Sequence, residues 1–252
     1  MFQFDDRNVL IGIFVIIALV TLYTSGFNLY ETVLSLPGLI IALTLHEYAH
    51  ARTAVKLGDP TPEMQGRLNL NPLSHLDPIG TICLLFGGFG WGKPVQINPA
   101  NFRRPEKDGA KVAAAGPIMN FIIAIVCSII YAVLNIVAIK SGSYTINNLG
   151  RAEYSTVWDT IFEIVIRAIY LNLGLGVFNL LPFPPLDGSK IFRAFLKGKA
   201  KEFLYSIERY SMLIIMFLFM THIASYIISP IVSAIIKYVL DPIIRIILNI
   251  AL

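Results

Sequence analysis

Three ionisable side chains sit together inside an apolar stretch: His46-Glu47-Tyr48-Ala49-His50, within LIIALTLHEYAHARTAV. On a helix, residues at i and i+4 lie one above the other. Both imidazoles can then reach one metal ion, and Glu47 beside them is placed to take a proton from water. A pair of packed histidines next to an accidental glutamate is the plain alternative. Ionisable groups in an apolar segment are costly and mark function, so the spacing predicts a zinc site with one Zn2+ per chain and Glu47 as its base.

Catalytic zinc takes three protein ligands and keeps one position open. The other histidines are His75 and His222, and the acids in or beside apolar runs are Glu31, Asp77, Glu163, Asp187 and Asp241. Asp187 closes Asn179-Leu-Leu-Pro-Phe-Pro-Pro-Leu-Asp187-Gly188. Pro182, Pro184 and Pro185 forbid a regular helix there, and Gly188 permits an unusual turn. Such a break either aims a carboxylate into a cavity or forms an ordinary surface Asp-Gly turn; the residues alone leave both open. Glu163 has Arg167 at i+4, which an ion pair explains. His222 reads as a packed histidine and His75 as a loop histidine with structural hydrogen bonds.

The elements that carry these residues belong to a membrane protein. Hydrophobic residues make up 56% of the 252 and charged residues 14%, well under the roughly 25% of a soluble domain. Crossings are expected near 9–30, 32–55, 112–139, 161–182 and 210–228, with Pro230 dividing the last run. Residues 231–252 carry Lys237, Asp241 and Arg245 on one face; they span with a polar stripe or lie in the interface. The fold class is thus an all-α polytopic membrane protein of about six transmembrane helices, a single domain over 1–252. Its core is near 32–190, with accessory helices at 9–30 and 210–252. Asp5 and Asp6 precede the first run and no A-x-A site ends it, so it reads as a permanent anchor. Cys83 and Cys127, apart and in apolar surroundings, suggest neither a disulfide nor a metal site.

The run 78–92 is short and rich in glycine, and reads as a re-entrant segment. With it returning to its own side, fifteen of the twenty Lys and Arg residues fall on one side of the membrane. Basic loops stay in the cytoplasm, so the N-terminus is expected inside and the site near the cytoplasmic face. The net charge of +4 reflects this asymmetry and is no sign of nucleic-acid binding. Flanking the run, 66–71 and 93–98 alternate apolar and polar residues, the strand signal. They form either an ordinary hairpin near the site or an edge where Val95 and Ile97 help receive an extended substrate.

Taken together, HEYAH, NLLPFPPLDG, GRLNLNPLSHLDPIGT (66–81), FGWGKPVQINPANFRRP (89–105) and AGPIMN (115–120) resemble the site-2 protease family of intramembrane zinc metalloproteases, in its short prokaryotic form. The resemblance covers most of 36–190. It implies that His46, His50 and Asp187 ligate zinc and that Glu47 is the general acid/base. It also implies that Asn120 faces the active site and helps bind substrate or stabilise the intermediate, with Asn179 similarly placed. Hydrogen bonding between helices is the other reading of both asparagines. The polar connections are too short for a PDZ or CBS module, unlike larger relatives. The implied partners are the lipid bilayer and a transmembrane protein substrate; the oligomeric state is open. An inactive relative that only binds membrane segments would not need both HExxH and Asp187. A transporter with a midplane metal site would favour inverted repeats, which the chain lacks.

Overall fold

The computed structural model describes residues 12, 28–87, 92–146, 152–221 and 223–251. The expected crossing at 9–30 therefore lies almost wholly outside the described residues, as does His222.

Helix α1 runs Leu29–Lys56. Asn28 starts it: its Oδ1 accepts from the Tyr30 N–H at 3.0 Å and the Glu31 N–H at 3.5 Å, which supplies two of the orphan donors of the first turn. Short helices α2 (Thr61–Met64), α3 (Pro72–His75) and α4 (Pro78–Gly87) follow. An antiparallel bridge joins Leu76 to Gly92, and the Lys93 N–H donates to the His75 carbonyl at 2.8 Å. The segment that leaves at residue 76 thus returns beside its own start.

After a 3₁₀ turn at Pro99–Asn101, α5 (Pro105–Lys140) begins with Pro105 in its first turn, where the missing N–H costs nothing. Strand β1 (Tyr144–Ile146) pairs antiparallel with β2 (Ala152–Tyr154), Tyr144 opposite Tyr154. Helix α6 (Thr156–Asn179), α7 (Asp187–Arg193), α8 (Gly198–Glu208), α9 (Ser211–Met220) and α10 (Ile223–Ile235) complete most of the chain. A π-helical stretch, Ile236–Leu240, connects α10 to α11 (Asp241–Ala251).

Among the described residues three helices, α1, α5 and α6, are long and apolar enough to cross a membrane. They pack against one another and form the frame of the molecule. Small residues on their buried faces (Ala42, Ala49, Ala54, Ala113, Ala124, Ala132 and Ala168) let backbones approach, the usual basis of helix association in lipid. Ala124, Ile169, Leu173 and Val177 pack with Val232 and Leu240, which ties the C-terminal helices to α5 and α6. Large apolar residues such as Ile41, Ile122, Val126 and Val133 face outward, as expected of helix faces against lipid.

Two expectations require correction. The segments 66–71 and 93–98 do not pair as strands. Asn69 folds its own segment into a turn, bonding the Gly66 carbonyl and accepting from the Asn71 N–H. In 93–98 side-chain carboxylates take backbone donors: Val95 N–H goes to Glu47 and Asn98 N–H to Asp59. Nor does Pro230 divide the last apolar run. It lies inside α10, and the break falls after Met220. Proline's lost hydrogen bond is tolerated in apolar helices that neighbours support.

Candidate metal centre

The chain reversals bring one end of α1, α5 and α6 together. The second half of α1 carries His46 and His50 on its buried face, with relative exposures of 5% and 6%. Beyond Asn179 the three prolines bend the chain, and the Leu181, Leu186 and Ile215 cluster holds the bend against α9. Helix α7 then starts at Asp187. A Cβ at Gly188 would stand 2.3 Å from the Leu180 and Leu181 carbonyl oxygens, so the fold-back that returns Asp187 to α1 is closed to any other residue.

There Asp187 Oδ2 lies 3.2 Å from His46 Nε2 and 3.0 Å from His50 Nε2, and the two Nε2 atoms are 3.0 Å apart. A tetrahedral ion with ligands at about 2.0–2.1 Å holds them about 3.3 Å apart. The triangle is therefore close to the size that such an ion needs. These residues form a group that could hold a metal ion. The other Asp187 oxygen, Oδ1, faces Lys190 Nζ at 3.6 Å.

The far edge of each imidazole is also engaged. His46 Nδ1 donates to Asn120 Oδ1 at 2.7 Å, and His50 Nδ1 donates to the Val112 carbonyl at 2.7 Å. Each bond sets the tautomer that leaves Nε2 as a lone pair, the arrangement metal-binding histidines use. The donor set, two imidazoles and a carboxylate, suits zinc.

Glu47 stands beside the cluster. Its Oε2 accepts from the Val95 backbone N–H at 2.9 Å, which leaves Oε1 for other work. A cavity of about 770 Å³ reaches from His46, Glu47, His50 and Asp187 past Val95, Ile97 and Asn179 to Glu106, Arg193, Lys201 and Glu208. Ion pairs cross its outer part, Lys201 with Glu106 and Arg193 with Glu208.

Of the residues singled out in the sequence, His46, His50 and Asp187 converge. Glu47, Val95, Ile97 and Asn179 line the cavity. Asn120 is fully buried behind His46. His75 stands apart from the cluster, buried, with Nε2 donating to the Asn69 carbonyl at 2.8 Å. Glu163 is held by Arg167 at 2.5 Å. Sequence reasoning missed Asn172, Val112 and Gly116. Asn172 had only the signal of an amide in an apolar run, which Asn135 shares; the Val112 carbonyl had none, because every residue has one.

Membrane-length helices converging on three such donors, with a carboxylate alongside, place the protein among the membrane metallopeptidases. The chain belongs to peptidase family M50, whose family model matches residues 35–222. It is 39% identical over 196 residues to YwhC of Bacillus subtilis, named as a candidate zinc metalloprotease, covering 78% of this chain and 84% of that one. It is 26% identical to the candidate zinc metalloprotease Rip2 of Mycolicibacterium smegmatis, over 75% of this chain and 67% of the relative. With the candidate zinc metalloprotease MJ0611 of Methanocaldococcus jannaschii the identity is 24%, over 77% and 87%. No solved structure matches. The protein is a zinc metalloprotease and, with its three long apolar helices, a multi-pass membrane protein.

Proposed function

We propose that the protein is an intramembrane endopeptidase that cuts transmembrane segments of other membrane proteins. The observation that carries this reading is the triangle of His46, His50 and Asp187 ligand atoms at 3.0–3.2 Å, two of them on α1, a helix long enough to cross the bilayer. In it, His46 Nε2, His50 Nε2 and Asp187 Oδ2 hold the zinc ion, one per chain. Zinc bound there supplies a Lewis acid that polarises a peptide carbonyl and acidifies water.

The chain's own residues do the rest. Glu47, fixed through Oε2 by Val95, receives the proton of the attacking water at Oε1 and returns it to the leaving amine. An opened substrate segment lies extended along 93–98, where Val95 and Ile97 line the cavity, with Asn179 near its scissile end. Asn120 serves the site through His46: its amide nitrogen is committed to Ala42 and Asn172 and its oxygen to His46. Water reaches the cavity from the side bearing the Glu106–Lys201 pair.

That side is the cytoplasmic one, by the distribution of basic residues, and the N-terminus lies with it. Support comes from contacts that join Arg- and Lys-rich segments at the metal end of the frame, Lys201 to Glu106 among them. The joined ends at 76 and 92 support the re-entrant reading of 78–92, of which 88–91 lie outside the described residues. One transmembrane protease domain, with its core near 32–190, carries the whole site.

Asp187→Ala tests the ligand set. The variant should insert normally, lose most of its zinc by elemental analysis and lose cleavage of a membrane substrate. Full zinc and normal cleavage would assign the third ligand elsewhere, with His75 the first to examine.

A further inference from the structure

Asn172 lies in α6, fully buried, one turn beyond Ala168 and next to Leu173. Its Nδ2 donates to the Ala168 carbonyl of its own helix at 2.8 Å. That bond turns Oδ1 outward, where it accepts from Asn120 Nδ2 of α5 at 3.0 Å. Asn120 Nδ2 also donates to the Ala42 carbonyl of α1 at 3.1 Å. Asn120 Oδ1 is then left to face His46 Nδ1 at 2.7 Å.

The direction of this chain is fixed at both ends. Backbone carbonyls can only accept, so Ala168 and Ala42 each require an amide nitrogen opposite them. A flipped Asn120 would set its oxygen against Ala42 O and Asn172 Oδ1, three acceptors facing one another. It would also point NH₂ at His46 Nδ1. His46 would then have to accept at Nδ1 and carry its proton on Nε2, the edge that faces His50 and Asp187. A protonated Nε2 has no lone pair for a metal.

We propose that Asn172 is a positioning residue of the metal centre: by fixing the orientation of the Asn120 amide, it selects the His46 tautomer whose Nε2 is free to bind zinc. Asn172 touches neither metal nor substrate and acts through Asn120. The proposal rests on the reading of His46 as a zinc ligand.

The test measures zinc dissociation constants of the full chain in detergent, by competition with a chromophoric chelator. Asn172→Leu keeps the branched shape and removes the acceptor, and should weaken zinc binding roughly 10- to 100-fold, the range for lost outer partners of metal-binding histidines. Asn172→Asp, as the neutral acid, keeps a donor toward the Ala168 carbonyl and an oxygen toward Asn120, and should recover most of that loss. Asn120→Ala combined with Asn172→Leu should bind zinc no more weakly than Asn120→Ala alone, because the second residue acts only through the first. Asn172→Ala replaces Asn172→Leu if the latter does not fold. Wild-type affinity in the Leu variant, no recovery in a folded Asp variant, or additive losses in the double variant would each overturn the proposal. His46→Ala separates the two readings. If it leaves zinc affinity unchanged, the ligand assignment fails and the proposal with it. If it weakens binding while Asn172→Leu does not, only the positioning role is lost.

Discussion

Gly116 of α5 faces His46 of α1 so closely that a Cβ at Gly116 would stand 2.6 Å from His46 Nε2, and 2.5 Å from His50 Nε2. The absence of a side chain at one position on α5 is what lets two histidines on α1 reach Asp187. Gly116→Ala should push both imidazoles out of place. Overpacking of this kind costs roughly 1–3 kcal/mol, about 5- to 150-fold if it falls on zinc affinity. Isothermal titration with zinc would measure it. Unchanged affinity in the alanine variant would mean the imidazoles have room that this geometry denies them.

Asp59 holds the loop that carries 93–98. Fully buried, it accepts from the Thr61 N–H at 3.1 Å, the Thr61 hydroxyl at 2.6 Å, the Asn98 N–H at 2.8 Å and Asn101 Nδ2 at 2.7 Å. Burial alone would raise its pKa, but these donors outweigh it and hold the carboxyl below its ordinary value. A depressed folded pKa adds stability that is fully present above the unfolded value, about 3.9. That stability is lost as pH falls through the folded value. Asp59→Asn should therefore melt lower than wild type at pH 7, by a loss of roughly 1.5–3 kcal/mol for a bond to a charged acceptor. The gap should narrow as the pH drops below 4. A gap that stays constant with pH would show that the charge of Asp59 contributes nothing.

The proposed orientation places Arg104 and Lys199 in the cytoplasm. Single cysteines introduced there, in a chain lacking Cys83 and Cys127, should resist impermeant thiol reagents added to intact cells and react after lysis. Labelling from outside at either position would reverse the topology. The pairing of Lys201 with Glu106 makes a split result, one inside and one outside, the least compatible with the structure.

What could be read in the sequence follows from how local each feature is. His46, Glu47 and His50 were legible because four residues of one helix fix their relation. Asp187 lies 141 positions from His46, and only the prolines before it hinted that the chain returns. Residues 93–98 form no strand despite their alternation. Their partners are the carboxylates of Glu47 and Asp59 rather than a second strand, and alternation is silent on that. Asn172 is an apolar-run asparagine whose neighbour across the helix interface, Asn120, is 52 positions away; nothing local distinguishes it from Asn135, which bonds its own helix at Tyr131. Gly116 was visible within AGPIMN, but the need for glycine there arises only when α5 meets α1.

Glu47 is the residue on which the proposed chemistry most directly depends. Glu47→Gln keeps the size of the side chain and removes the group that receives the proton. With His46, His50 and Asp187 intact, the variant should retain close to one zinc per chain by elemental analysis. Cleavage of a membrane substrate should fall by roughly 100- to 10,000-fold, the usual worth of general acid–base catalysis. A folded, zinc-loaded Glu47→Gln protein that cuts at the wild-type rate would contradict the mechanism.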